Sequence, residues 1–240
     1  MSNSPLLEVR GLQAGYGNKL ILRGVTLDLR PGERVALFGH NGAGKSTLLR
    51  ALFGLLVTQA GEVYLAGERL TDQRPDARAR AGMAFVPQAR PIFAELTVEE
   101  NLRLGLYALR ASRRAEAATL EPTYAVFPDL AGARRQVAGS LSGGQQRLLA
   151  IAMALARRPR LLLLDEPSIG LSPAMVHSVF EALAQVSAQL GATILLAEQN
   201  VKQALRLAER AYVLKIGQVA WSGASTNLGE RGAVALANLL

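Results

Sequence analysis

The sequence predicts an α/β fold built on a parallel sheet, and three stretches carry that prediction. Gly39-His40-Asn41-Gly42-Ala43-Gly44-Lys45-Ser46-Thr47 reads G-x-x-x-x-G-K-[ST], the pattern of a phosphate-binding P-loop. It sits between residues 34–38, an apolar run of strand length, and residues 47–53, whose apolar side chains recur at helical spacing. Leu161-Leu162-Leu163-Leu164 is a second strand, apolar at every position as in a sheet covered on both faces. Ala192-Thr193-Ile194-Leu195-Leu196-Ala197 is a third run of the same kind, ending in Glu198-Gln199-Asn200.

The residue types of the P-loop follow from what a polyphosphate needs. Gly39, Gly42 and Gly44 let backbone amides turn toward the phosphates with no Cβ in the way. Asn41, Ala43 and Thr47 complete the loop, and the helix that follows adds free N–H groups and the positive end of its dipole. Lys45 supplies a point charge for the β- and γ-phosphates, and the Ser46 hydroxyl a ligand for Mg²⁺. Asp165 and Glu166 stand at the end of the four-leucine strand, where ligands of open α/β sheets gather. Asp165 suits the Mg²⁺ shell. Glu166 has no basic partner nearby in sequence, which leaves it free to polarise a water.

Composition narrows the remaining chemistry. The 240 residues are 50% hydrophobic, enough for a substantial core in one large domain or two small ones. There is no cysteine, which excludes disulfides, thiolate metal sites and thiol nucleophiles. His40 and His177 are the only histidines, too few for a histidine-based metal site. The N-terminal residues lack a basic region followed by an apolar run, and no uncharged apolar run reaches bilayer-spanning length, so a cytoplasmic location is expected. The net charge is +8, with arginines spread along the chain and denser at 74–80, 110–114 and 157–160. Aromatics make up only 5% and do not interleave with them, so a solvated basic surface is expected and nucleic-acid binding is not.

Taken in order, residues 7–10 and 25–29 alternate as half-buried strands, with a turn expected over 14–19 and a second at Pro31-Gly32. Tyr16 falls in the first turn, where it either stacks on an adenine ring or plugs the sheet edge. Residues 61–67 and 82–88 read as further strands, the second ended by Pro87 with Gln88 next to it. Pro91-Ile92-Phe93 is an apolar triplet in a loop. Thr97-Val98-Glu99-Glu100 is a capping box, opening a helical stretch expected from about 98 to 126. Residues 128–139 are expected to be loop. Leu141-Ser142-Gly143-Gly144-Gln145 then leads into an evident helix ending near Ala156. Ser142 suits its N-cap, and two glycines expose its first amides, as an anion site at a helix N-terminus requires. Residues 173–189 read as a helix, and 211–214 with 218–221 as a hairpin around Ile216-Gly217.

With these residues in hand, the chain resembles the ATP-binding subunits of ABC transporters over nearly its whole length. Leu141 to Gln145 matches the family's signature loop and Leu161 to Glu166 its Walker B strand with the catalytic glutamate. Gln88 matches the Q-loop glutamine, Tyr16 the adenine-stacking aromatic, and Ser168-Ile169-Gly170-Leu171-Ser172 the D-loop. The order of these motifs fits too. The resemblance implies a P-loop NTPase with a RecA-like core (1–88 and 159–240), an antiparallel β-subdomain, and an inserted helical subdomain from about 89 to 158. It implies a head-to-tail dimer in which Ser142, Gly143, Gly144 and Gln145 of one copy face the ATP held by Lys45 of the other. It further implies Mg²⁺ held by Ser46, Gln88 and Asp165, Glu166 as the base, transmembrane permease subunits as partners, and a solute-binding protein acting through them on the far side of the membrane. The subunit is then peripheral, on the cytoplasmic face.

The chain departs from the family's pattern at one position. Gln199 stands where a histidine usually contacts the γ-phosphate, and a glutamine amide donates a hydrogen bond without carrying a proton's charge. The Glu198-Gln199-Asn200 form, with 97–102 and 167–172, is similar to the second ATP-binding subunit of branched-chain amino acid importers; urea and short-chain amide importers share these features. Two rival readings carry their own tests. A soluble ABC ATPase acting on DNA or ribosomes is one; DNA binding with a steep salt dependence would favour it. A clamp that binds ATP without useful hydrolysis, suggested by Gln199, would release no phosphate.

Overall fold

The parallel strands predicted from their unbroken apolar runs lie side by side at the centre of the molecule. The computed structural model describes residues 4–89, 92–106 and 113–228, with the backbone alone for 113–119. The strand before the P-loop is β3 (Arg34–Phe38). In chain order it is preceded by β1 (Leu7–Tyr16) and β2 (Lys19–Leu29), and followed by α1 (Lys45–Leu52), β4 (Thr58–Leu65), β5 (Glu68–Arg69), α2 (Pro75–Arg80) and β6 (Met83–Val86). Four helices come next: α3 (Val98–Leu106), α4 (Arg113–Val126), α5 (Pro128–Gly132) and α6 (Gly143–Leu155). The chain then returns to the sheet through β7 (Leu161–Asp165), α7 (Pro173–Leu190), β8 (Thr193–Ala197), α8 (Val201–Leu207), β9 (Arg210–Lys215) and β10 (Gln218–Ala224).

Two sheets result. The central one has the order β10-β9-β3-β8-β7-β6, parallel except for β10 at its edge; the other is antiparallel, in the order β2-β1-β4-β5. Side chains alternate across the central sheet. Leu161, Leu163, Leu195 and Leu37 face the antiparallel sheet and α1, while Leu162, Leu164, Leu196 and Phe38 face α3, α6, α7 and α8. All eight are buried. Each such side chain contributes about 2 kcal/mol on burial, so a strand of leucines in this position is worth more as core than any polar alternation could supply.

Several elements differ from expectation. The first hairpin is longer than its alternating segments, because β1 continues through bulges to Tyr16 and leaves only Gly17-Asn18 as the turn. Gly15 pairs Leu20 there, and a Cβ on it would lie 2.0 Å from the Lys19 carbonyl oxygen. The capping box at Thr97 is present, with Glu100 N–H donating to Thr97 Oγ1 (3.2 Å) and Thr97 N–H to Glu100 Oε2 (2.8 Å). The single helix expected over 98–126 is described as α3 and α4, and 107–112 lie outside the described residues. Residues 128–139 hold α5 rather than only loop. Pro128 starts α5 with its ring already at a helical φ, and Leu130 is fully buried, which together outweigh the weak local pattern. Tail residues 222–228 form the end of β10 and a turn of 3₁₀ helix; those beyond 228 lie outside the described residues.

One buried cation braces the helix that follows the P-loop. Arg78, 1% exposed, donates to the carbonyls of Ala51 and Leu52 in the last turn of α1, and to Thr71 and Gln73. Those carbonyls lie at the negative end of α1, where Ala51 also accepts from Gly54 N–H (3.0 Å), so the guanidinium adds donors there and complements the helix dipole. Burial pulls its pKa down from the usual arginine value. None of the helices among the described residues is long and apolar enough to cross a membrane.

Candidate functional site

Strand ends β3, β7 and β8, neighbours in the sheet, bring three loops together. The P-loop leaves β3, Asp165 and Glu166 leave β7, and Glu198-Gln199 leaves β8. Within the P-loop, Gly42 (φ 84°) and Gly44 (φ 108°) take left-handed conformations that a side chain would resist, and a Cβ on Gly44 would sit 3.1 Å from Leu22 Cδ2. Gly39 closes against Leu214, whose carbonyl oxygen lies 2.6 Å from where a Cβ would be. Ala43 N–H bonds the His40 carbonyl and Ala43 O accepts from Gly217, so the loop is anchored to the β9–β10 hairpin. Thr47 is buried on α1, and Asn41 is exposed.

Lys45 curls back over this loop. Its Nζ donates to the carbonyls of Gly39 (2.8 Å) and His40 (3.3 Å), and only 5% of the residue is exposed. It also lies 3.8 Å from Glu166 Oε1. Glu166 has no basic partner nearby in sequence, but β3 and β7 flank β8 and bring the distant Lys45 to it. Glu166 also accepts from Gln88 Nε2 (3.1 Å, Oε2) and Gln199 Nε2 (2.8 Å, Oε1). Gln199 uses the same amide to donate to Asn41 Oδ1 at 3.0 Å. Glu166 adopts a left-handed backbone (φ 48°), a conformation that costs a non-glycine residue about 1–2 kcal/mol and that collects at functional sites. Its N–H still bonds the Ala197 carbonyl, so the turn is fixed against β8.

Asp165 shares the pocket on different terms. Ser46 Oγ donates to its Oδ1 at 2.9 Å, while Oδ2 is buried with no hydrogen-bond partner among the described residues. Burial pushes the carboxyl's pKa up; the Ser46 hydrogen bond pulls it back, and the neighbouring Glu166 charge adds to the rise. An uncompensated carboxylate oxygen beside a hydroxyl is the donor set a hard divalent cation takes when it uses few protein ligands and relies on phosphates and water for the rest. Gln88 presents its amide nitrogen to Glu166, and no hydrogen bond joins it to Ser46 or Asp165 among the described residues.

Ser142 caps α6 as its residue type predicts. Gln145 N–H donates to Ser142 Oγ (3.3 Å) and Ser142 N–H to Gln145 Oε1 (3.0 Å), a reciprocal capping box. Ser142 is exposed and Gly143 half-buried. Gly144 also has a packing role. It is buried, and a Cβ on it would meet Met175 of α7 at 2.4 Å. No hydrogen bond or ion pair among the described residues joins 142–145 to the P-loop of the same chain. Tyr16, 44% exposed at the end of β1, accepts a hydrogen bond from Arg50 of α1 (3.0 Å). Phe93 is exposed and Ile92 packs on the helical core, while Pro91 lies outside the described residues.

Sequence reading passed over two residues here. Arg147, 2% exposed, donates from α6 to the carbonyls of Pro87 (3.1 Å) and Gln88 (2.7 Å), tying the Gln88 loop to the helix that Ser142 caps. Its signal was the lone charged residue of α6, next to the apolar run 148–155. Glu198, the neighbour of Gln199, is likewise buried.

A glycine-rich strand-to-helix loop with an inward lysine, and a hydroxyl–aspartate pair next to it, define a P-loop nucleotide-binding domain. Comparison with known proteins narrows this. The ABC transporter family model matches residues 22–169, and the chain belongs to that family, as an ATP-binding subunit and ATPase. LivF of Archaeoglobus fulgidus, a probable branched-chain amino acid transport ATP-binding protein, is 39% identical over 94% of each chain. BraG of Pseudomonas aeruginosa, a high-affinity branched-chain amino acid transport ATP-binding protein, is 42% identical over 85% of this chain and 86% of its own. Among solved structures, an ATP-binding subunit of an ABC transporter superposes with a TM-score of 0.82 at 32% identity, covering 98% and 97% of the two chains. A dimeric ATP-binding cassette bound to ADP and Pi superposes with a TM-score of 0.80 at 26% identity, over 91% and 98%.

Proposed function

We propose that this chain hydrolyses ATP to energise an importer of branched-chain amino acids. The observation that carries the chemistry is the convergence on Glu166: Lys45, Gln88 and Gln199 hold one buried carboxylate beside the Ser46–Asp165 pair. Lys45 and the amides of 39–47 hold the phosphates, and Tyr16 stacks the adenine. Ser46 and Asp165, with Gln88 nearby, hold Mg²⁺, which neutralises charge developing on the phosphates. Glu166 orients the attacking water and takes its proton, while Gln199 steadies the terminal phosphate. The reaction is then mostly positioning and charge stabilisation. Ser142, Gly143, Gly144 and Gln145 reach the ATP of a second ATP-binding subunit in a head-to-tail dimer. The lack, among the described residues, of any hydrogen bond or ion pair to this chain's own P-loop and the dimeric form of a 26% identical cassette support that reading.

The same reading divides the chain into a core (1–88 and 159–240) and a helical subdomain (89–158), the segment carrying α3 to α6 between β6 and β7. Exposed Phe93 faces a permease, the chain sits peripherally on the cytoplasmic face, and a solute-binding protein delivers cargo from the far side. The cargo rests on LivF and BraG.

Two experiments test this. Glu166→Gln lowers phosphate release by about a hundredfold or more, still binds ATP, and elutes as a dimer when ATP is present; unchanged turnover removes Glu166 from its role. Reconstituted with its permease and solute-binding protein, the subunit turns over faster with leucine, isoleucine or valine. Stimulation by urea or short-chain amides alone reassigns the cargo.

A further inference from the structure

The mechanism above leaves one buried acid unused. Glu198 follows β8, is 2% exposed, and forms no ion pair with any Lys, Arg or His among the described residues. Burying a charge without a cation is costly unless hydrogen bonds replace the water. Three backbone N–H groups do so here. Ser168 N–H donates to Oε1 (2.9 Å), and Gln199 N–H (2.8 Å) and Asn200 N–H (3.0 Å) donate to Oε2. Each oxygen thus serves a different loop. One loop runs from Glu166 through Ser168 to exposed Ile169 and Gly170; the other carries Gln199, whose side chain returns to Glu166. The contacts close a ring: Glu198 to Ser168, along the chain to Glu166, across to Gln199, and back to Glu198.

The geometry points to Glu198 as a positioning residue that sets the Glu166–Gln199 hydrogen bond and couples it to the 168–172 loop, which is exposed at Ile169 and Gly170. This rests on the hydrolytic reading of Glu166. Only a carboxylate fits both halves of the task. A glutamine at 198 keeps one acceptor oxygen and turns an NH₂ toward one loop's N–H, so one loop is released while the shape is kept. A displacement at either loop then reaches the reacting pair, where an ångström of misplacement costs on the order of a hundredfold in rate.

The test is a double-variant cycle on the full-length chain, read by phosphate release and ATP titration. Glu198→Gln lowers kcat by about ten- to a hundredfold with KM for ATP changed by less than about twofold. In a Gln199→Ala background the same change costs less than about twofold more, because the bond it positions is already gone. Equal losses in both backgrounds, or turnover by Glu198→Gln within about twofold of the parent, overturn the assignment. If the parent chain releases no phosphate, the hydrolytic reading fails instead. Residue-resolved amide exchange then decides the positioning role without turnover. Ser168, Gln199 and Asn200 are protected to the same degree in the parent chain, and this protection gives way at Ser168 or at Gln199 in Glu198→Gln. An unprotected Ser168 in the parent, or full protection of all three in the variant, overturns the inference; if the variant does not fold, the parent's three amides decide it.

Discussion

Asp165 and Glu166 are adjacent in sequence and both buried, yet only Glu166 has both oxygens occupied by donors. Glu166 is met by a lysine and two amides, while Asp165 has one oxygen on Ser46 and one on nothing among the described residues. A buried carboxylate so placed strains the fold until a cation joins it. Asp165→Asn removes that charge at constant volume. With chelator present, the variant is expected to melt at or above the parent temperature. Mg²⁺ added with ATP then stabilises the parent beyond ATP alone, by about 2.7 kcal/mol at a hundredfold excess over its Kd, or roughly 5–10 °C for a chain of this length. The variant gains only what ATP gives by itself. Thermal melts across a Mg²⁺ titration check this, and an equal Mg²⁺ response in both chains removes Asp165 from the metal site.

At the scale of elements, α6 and α7 meet at a glycine. A Cβ on Gly144 would lie 2.4 Å from Met175 Cε, 2.6 Å from Cγ and 3.0 Å from Cβ. The first two contacts can swing away, but the third is close to the α7 backbone. Gly144→Ala therefore pushes the helices apart at a cost of about 1–3 kcal/mol, against the gain alanine ordinarily brings inside a helix. Met175→Ala in the same chain removes the Cε and Cγ contacts but keeps Cβ, so it restores only part of the lost stability, as urea unfolding measures. Absence of that rescue would show that Gly144 is needed only for its amide. The sequence announced α6 through Ser142 and Gln145, whose spacing is a local capping signal, and announced the four-leucine strand through composition alone. It could not announce Gly144's second purpose, since Met175 lies thirty-one positions away and the contact exists only after packing. α5 was missed for the related reason that five residues are too few to show a period, and Leu130's burial decides them.

Across the whole molecule the same division holds. Lys45, Ser46, Asp165 and Glu166 were legible because Lys45 and Ser46 open the helix after a glycine-rich loop, and Asp165 and Glu166 end a four-leucine strand. The Lys45–Glu166 pairing and the Arg147 and Glu198 ties were not, because they depend on strand order β3-β8-β7 and on helix packing. The joint between the two sheets belongs with these. Arg210 of β9 forks between Asp28 at the end of β2 and Glu33 before β3, with Tyr212 Oη on the same aspartate. Burial pulls its pKa down, but hydrogen bonds to Asp28 and Glu33 raise it overall. The bond to Arg210 in turn holds the Asp28 carboxyl below the usual aspartate range. An acid whose folded pKa is depressed adds stability above its unfolded value and loses it as pH falls through the folded one. The contribution is therefore complete at neutral pH and declines below about pH 4. Arg210→Met keeps the side-chain bulk over the Tyr212 ring and removes the fork. Asp28 is 45% exposed, so solvent screening limits the loss to about 1–2 kcal/mol, or roughly 3–6 °C in melting temperature. The gap between parent and variant narrows from pH 7 toward pH 3, since the parent surrenders by protonation what the variant lacks already. Melting curves that stay parallel over that range would place the joint's strength in the apolar contacts between the sheets and leave the charges incidental to it.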